Sequence, residues 1–219
     1  KNLQPARVGW AGVDDWDHTF CRRWIRRPDK LLEDPFGEKN VRANMHPGHV
    51  SPDAIGPSGP VDPGLSVLAF TTRDGRPLAL LANYSQHYYR SDLVSSDYFG
   101  RFCGHIATLL GAADGSFLAA MSQGTSGDQM WMDYGAPKRD IGYDKYAREV
   151  AERAHEAWKK IKFHDWVPLA MAERKLPLNF RQAGDTWLAW ARKIAADLGE
   201  KLPQSKAEIY ALEIGRAHV

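Results

Sequence analysis

One histidine and one glycine-rich turn are the parts of this sequence best equipped for chemistry. His87 follows the apolar run Leu80-Leu81-Ala82 and sits among Asn83, Tyr84, Ser85, Gln86, Tyr88 and Tyr89. An unperturbed imidazole titrates near neutrality, and its ring nitrogens also ligate metals. Hydroxyls and amides around it are the groups that fix the tautomer of a ligating ring. From pattern alone, His87 is either a hydrogen-bonded structural residue or a ligand, and a zinc site needs three or four donors. The second candidate is Gly124-Thr125-Ser126-Gly127-Asp128. Gly124 and Gly127 would let backbone amides approach a ligand, Thr125 and Ser126 carry hydroxyls that donate or attack, and Asp128 supplies a carboxylate. The run lacks the Gly-Lys-Ser/Thr ending of a phosphate-cradling loop and is one residue too short for a Gly-x-Ser-x-Gly elbow. A tight turn closing a strand is the competing reading.

Other polar groups give weaker signals. Arg22-Arg23-Trp24-Ile25-Arg26-Arg27 reads as a solvated or ion-paired surface, or as an anion site. The formal net charge of +2, with basic and acidic residues interspersed, gives no electrostatic case for nucleic acid. His46 and His49 flank Pro47 and Gly48, so no shared helical face follows from their spacing. Asp14-Asp15-Trp16-Asp17-His18 is rich in potential ligands but is expected at the surface, and His105 and His155 are expected to be structural. Cys21 and Cys103 form neither a disulfide framework nor a cysteine-rich zinc site, and a single bond between them stays open.

These groups need elements to hold them. Leu65 to Phe70 is an apolar run of strand length, Arg73-Asp74-Gly75-Arg76 has turn chemistry, and Pro77 to Ala82 returns as a second strand. Both arms are apolar on both faces, which predicts a sheet covered on both sides. Ser95, Ser96 and Asp97 open a helix bearing Tyr98, Phe102, Ile106 and Leu109, with a stop at Gly111. Phe117 to Met121 is the strand that leads into the glycine-rich turn. Tyr146, Val150, Ala154, Ala157, Trp158 and Ile161 form the apolar stripe of a helix from about 143 to 163. Trp166 to Phe180 is expected to be extended, and Asp185 to start a helix that stops near Gly199. Val8 to Val13 is a short strand, and residues 34 to 63 form a long ordered loop. The order predicts an α/β fold, a mixed sheet covered by helices on both faces.

The 219 residues, 43% hydrophobic and 26% charged, suit one sizeable core. No run reaches the roughly 18 apolar residues of a membrane span. The chain starts at Lys1 in what reads as mid-domain sequence, and Glu213 to Val219 matches a reading frame of a common sequencing adapter. The expectation is a fragment truncated at both ends, with a partial domain over 1–212 and an artificial tail over 213–219 in which His218 has no role.

The motifs Leu81-Ala82-Asn83-Tyr84-Ser85-Gln86-His87-Tyr88, Ser96-Asp97-Tyr98-Phe99-Gly100 and Ser122-Gln123-Gly124-Thr125-Ser126-Gly127-Asp128, in this order and spacing, resemble the neutral/alkaline non-lysosomal ceramidase N-terminal-domain family, nearest to bacterial ceramidase-like members. The likeness extends through Pro5 to Trp10, Arg22-Arg23-Trp24, Asp34-Pro35-Phe36-Gly37 and Gly59 to Pro63, so it covers roughly residues 5 to 180. The resemblance implies a zinc-dependent amidase that cleaves the N-acyl bond of ceramide, a sphingolipid, with zinc held by two histidines, a glutamate and a tyrosine. His87 matches the second histidine. The other ligands would lie outside this sequence, leaving one of four here, so the isolated chain is expected to bind zinc poorly.

The sequence departs from the family at the nucleophile. The family's serine stands two residues after the aspartate, where this chain has Met130, and a thioether cannot attack a carbonyl. The resemblance then implies hydrolysis of an amide or related acyl bond by metal-activated water. In that scheme Asp128 orients the loop or a water, Thr125 and Ser126 are the remaining hydroxyls, amides at Gly124 and Gly127 stabilise an oxyanion, and Arg22 helps bind substrate. The alternative is a catalytically silent lipid- or glycan-binding domain, with Met130-Trp131-Met132 as a soft apolar lining. The resemblance also implies an exported or membrane-associated protein.

Overall fold

A computed structural model describes residues 3–90, 94–179 and 183–216. The chain divides into two compact units, one of Lys1–Pro28 with Ala43–Leu169, the other of Asp29–Arg42 with Ala170–Val219. Strands are β1 (Ala6–Asp14), β2 (Phe20–Cys21), β3 (Arg23–Arg26), β4 (Leu32–Glu33), β5 (Lys39–Val41), β6 (Ala43–Met45), β7 (Ala54–Pro57), β8 (Gly64–Thr72), β9 (Pro77–Tyr84), β10 (Leu118–Gln123) and β11 (Gln129–Met130). Helices are α1 (Asp97–Leu109), α2 (Tyr143–Lys159), α3 (Asp185–Leu198) and α4 (Lys206–Arg216).

The first unit is built on a mixed sheet of order β1-β8-β9-β10, as an α/β reading requires. β8 and β9 form the expected hairpin, turned by Gly75 at φ +92°. β1 runs antiparallel to β8 over its whole length. β10 joins β9 in parallel, which needs a crossover, and α1 supplies it. Tyr98, Phe102 and Ile106 of α1 and Tyr146, Val150 and Ala154 of α2 are buried with Leu65, Val67, Leu80, Ala82 and Tyr84 of the sheet in one core. Alanines 147, 151, 154 and 157 keep α2 slim enough to lie close against its neighbours.

Both of these helices pack on the same face. The opposite face presents Trp10, Leu81 and Leu118 to solvent beside the exposed polar Ser66 and Asn83, where apolar arms alone suggested cover on both sides. The alternation of buried Leu65 and Val67 with exposed Ser66 is the signal of a one-sided sheet. The stretch 34–63 is less irregular than expected, since β6 and β7 flank β3 as antiparallel partners and β5 pairs with β4. Residues 166–179 carry neither strand nor helix, and Phe180 lies outside the described residues. Cys21 and Cys103 are free thiols.

In the second unit, Phe36 lies against Trp187 and Trp190, with ring centroids 3.7 and 4.7 Å apart. α3 ends at Gly199, whose φ of +59° suits glycine. α4, unforeseen in the sequence, starts at a reciprocal cap. The Glu208 amide donates to Ser205 Oγ, and the Ser205 amide donates back to the Glu208 carboxylate. Residues 217–219, including His218, lie outside the described residues.

Asp97 decides how the chain passes from β9 to α1. It is almost fully buried, adopts φ +52°, and accepts from the amides of Tyr89 at 2.7 Å, Arg90 at 3.0 Å and Tyr98 at 2.7 Å. Its negative charge also suits a helix N-terminus. Asp97→Ala leaves these amides without their acceptor and is expected to lower the unfolding free energy by about 3 kcal/mol, read as a shift in the urea midpoint.

Candidate functional site

Parallel pairing of β9 and β10 brings both of their carboxyl ends to the same edge of the sheet, and the two sequence candidates are delivered there. The segment after β9 has no ladder of its own. Side chains complete it: Gln129 Nε2 donates to the Ser85 carbonyl and, at 3.2 Å, to that of Asp62, Gln123 Nε2 donates to the Gln86 carbonyl at 2.9 Å, and Asp97 takes the amides that follow. Ser85 Oγ donates to Asp62 at 2.9 Å, and Gln86 Nε2 donates to the His18 carbonyl at 2.8 Å. Gly124 must be glycine here, because a Cβ would fall 2.5 Å from Ser85 Oγ.

A cleft of about 420 Å³ opens beside this edge. Arg22, His46, His87 and Arg90 bring nitrogen-bearing side chains to its wall, and Tyr88, Tyr89, Met130, Met132 and Tyr134 bring aromatic and thioether surface. Arg22 is anchored to the glycine-rich turn, its amide donating to the Asp128 carbonyl at 2.8 Å and its Nε to the Gly127 carbonyl at 3.0 Å. Met130 is buried in β11, which pairs with β2, and Tyr134 Oη donates to its sulfur at 3.4 Å. His46 Nδ1 is hydrogen-bonded to the Tyr134 hydroxyl. Burial, then the charges of Arg22, His87 and Arg90, hold the His46 pKa below the ordinary histidine value. Burial holds the Tyr134 pKa up against the opposing pull of Arg22. His87 Nδ1 lies 3.2 Å from the Tyr88 carbonyl, and donation along that line leaves Nε2 as the ring's acceptor nitrogen.

The structure thus gathers His87 and Arg22 into one cleft and ties Arg22 to Gly127 and Asp128 through backbone carbonyls. It does not bring the loop's side chains there. Thr125 and Asp128 are exposed, Ser126 is half-buried, and none of them lines the cleft. The Gly124 amide is directed to the Tyr84 carbonyl at 3.0 Å, so it does not face a ligand. Among the described residues, no three of His, Cys, Asp and Glu converge as a metal site.

His46 carried only a weak signal in the sequence, and Arg90 carried none. Neither has a periodic signature, and both arrive by loops. A larger correction concerns Asp15 and His18, expected at the surface and found buried. His18 Nδ1 donates to Asp15 at 2.9 Å and Nε2 to Glu149 of α2 at 2.8 Å, while Tyr84 Oη donates to Asp15 at 3.0 Å. Arg153 adds its charge 4.0 Å from Asp15. The Asp-x-x-His spacing lets the imidazole fold back onto the carboxylate, which is the signal the sequence did contain.

The class defined by these observations is an α/β domain with a cleft at the carboxyl ends of two parallel strands. No family model and no curated protein matches the chain. Among solved structures it is similar to neutral ceramidase from Pseudomonas aeruginosa, at 17% identity and a TM-score of 0.43 over 72% of this chain and 23% of that one. A ceramidase complexed with C2 gives 20% identity and a TM-score of 0.42 over the same shares. The chain spans about a quarter of the length of these proteins.

Burial opposes the charged form of His18, but hydrogen bonds and charge from Asp15 and Glu149 outweigh it and raise the pKa above the ordinary value. A raised folded pKa stabilises the fold fully below the unfolded pKa and loses that contribution as pH rises through the folded one. Melting temperature is therefore expected to fall as pH is raised from about 6 to 9, and His18→Gln to flatten that slope.

Proposed function

We propose that this chain is a section of a ceramidase-like hydrolase that cleaves an N-acyl or related acyl bond, with the cleft beside β9 and β10 as part of its substrate site. The observation that carries the reading is the meeting of His87 and Arg22 in one cleft, with Arg22 fastened to the turn that follows β10. In this reading His87 is one zinc ligand, acting through Nε2, and the remaining donors come from sequence outside this chain. Zinc would supply Lewis-acid polarisation and an activated water when bound. The chain's own residues orient the substrate. Arg22 is placed to hold an acyl oxygen, and Met130, Met132 and Tyr88 cover the apolar chain.

A second reading has its own observation. Met130, which the resemblance aligns with the family's nucleophile, lines the cleft, and the loop hydroxyls of Thr125 and Ser126 do not. That arrangement suits a lipid- or glycan-binding domain without turnover.

The test is the zinc content of the longest natural form of the protein carrying this sequence, with and without His87→Ala, followed by fatty-acid release from short N-acyl amines. The hydrolase reading expects zinc to fall to about a tenth or less in the variant and release to require zinc. Equal zinc in both forms removes His87 from the metal site. Bound zinc without release selects the binding reading.

A further inference from the structure

We propose that the cleft receives an amphiphile bearing an oxyanion, a carboxylate or phosphate attached to an apolar chain, through the guanidinium groups of Arg22 and Arg90 with His46 as a neighbouring imidazole. This rests on the cleft being the substrate site and narrows the class of substrate it takes.

The first observation is charge. Two guanidinium groups and two imidazoles line the cleft, and no carboxylate side chain does so among the described residues. Elsewhere the protein balances its charges, as in the Asp15–His18–Glu149–Arg153 network, and its overall excess is only +2. An unbalanced pair of arginines facing one cleft is the arrangement that recognises planar carboxylates and phosphates.

The second observation is backbone strain, and it falls in the same place. Among the described residues, the non-glycine positions with positive φ are His46 at 56°, Val50 at 50°, Arg90 at 92° and Asp97 at 52°. His46 and Arg90 line the cleft. The His46 amide donates to the Arg22 carbonyl at 3.0 Å, and the Val50 amide to the Tyr134 carbonyl at 2.9 Å. Asp97 holds the Arg90 amide. Every strained residue is thus a cleft residue or is hydrogen-bonded to one. Val50 is β-branched and Arg90 lacks the local hydrogen bonding that eases aspartate or asparagine into this region, so both conformations are costly and persist because the surroundings impose them. Strain of this kind collects at ligand clamps.

The third observation is the apolar wall. Exposed Tyr88 and half-buried Met132 line the same cleft as the arginines, with the buried Met130 and Tyr134 also reaching its lining, so an anion entering here meets greasy surface as well. A bare inorganic ion would leave that surface unused. A short acyl or alkyl chain would cover it.

The experiment is calorimetric titration of the chain with N-octanoylglycine, its uncharged carboxamide and octyl phosphate, below their aggregation limits. The carboxamide keeps the chain and shape of the first ligand but replaces the anionic oxygen with a neutral NH2 donor, and the third compares phosphate with carboxylate. At least one anion is expected to bind about tenfold or more tightly than the carboxamide, and Arg90→Gln to remove most of that preference by weakening the anion far more than the carboxamide. The tighter of the two anions names the head group. Equal binding of charged and uncharged ligands overturns the proposal, as does a preference that survives the Arg22→Gln, Arg90→Gln double variant with its circular dichroism intact. The measurement needs no turnover. Anion binding by this chain, with no acyl cleavage by the zinc-bound longest form, would keep this proposal and sink the hydrolase, whereas cleavage of uncharged amides by that form without anion preference here would do the reverse.

Discussion

Six residues beyond the last paired position of β9 leave the sheet without a neighbouring strand, and their peptide groups still need partners. Buried amides and carbonyls left unpaired cost as much as lost hydrogen bonds, so this stretch could not hold a fixed path unaided. Side chains take the role of a ladder: Gln129 at Ser85, Gln123 at Gln86, Asp97 at Tyr89 and Arg90. These partners come from the end of β10, from the strand after the glycine-rich turn, and from the start of α1. The position of His87 is therefore set jointly by three elements, and the cleft exists because they agree.

Two groups of charged residues show how differently the same side chains are used. Around His18, each charge has its opposite at hydrogen-bond range, and the network ties the loop after β1 to Tyr84 of β9 and Glu149 of α2. Such a group fixes how a helix sits on a sheet. Around Arg22 and Arg90, like groups face a common opening and the backbone is bent to hold them there. Balanced charges here hold elements together, while Arg22 and Arg90 line an opening with no carboxylate among its described lining residues.

Much of the scaffold was legible in the sequence because its signals are local. Asp74-Gly75 marks the hairpin turn, Tyr98, Phe102 and Ile106 mark α1, Tyr146, Val150 and Ala154 mark α2, and Gly199 stops α3. The short strands between residues 39 and 57 gave no such signal, since three or four residues are too few to show a period. Ser205-x-x-Glu208, with its reciprocal cap, is the local signal for the start of α4. The burial of Asp15 and His18 depends on Glu149 and Tyr84, both far away in sequence, so composition could only suggest a surface. The candidate site was half legible. His87 was expected to share a pocket with the glycine-rich turn, and it meets instead Arg22, which backbone carbonyls tie to that turn, while His46 and Arg90 reach the cleft through loop conformations that no pattern encodes.

The aspartate that opens α1 answers two requirements at once, a left-handed backbone and a carboxylate whose oxygens both accept. Glycine meets the first alone, glutamate has the oxygens on too long a stem, and asparagine turns one acceptor into a donor. The genetic code offers no other residue that fits. Any other residue at position 97 gives up either an acceptor or an easy left-handed turn, so the bend and the helix start rest on one side chain.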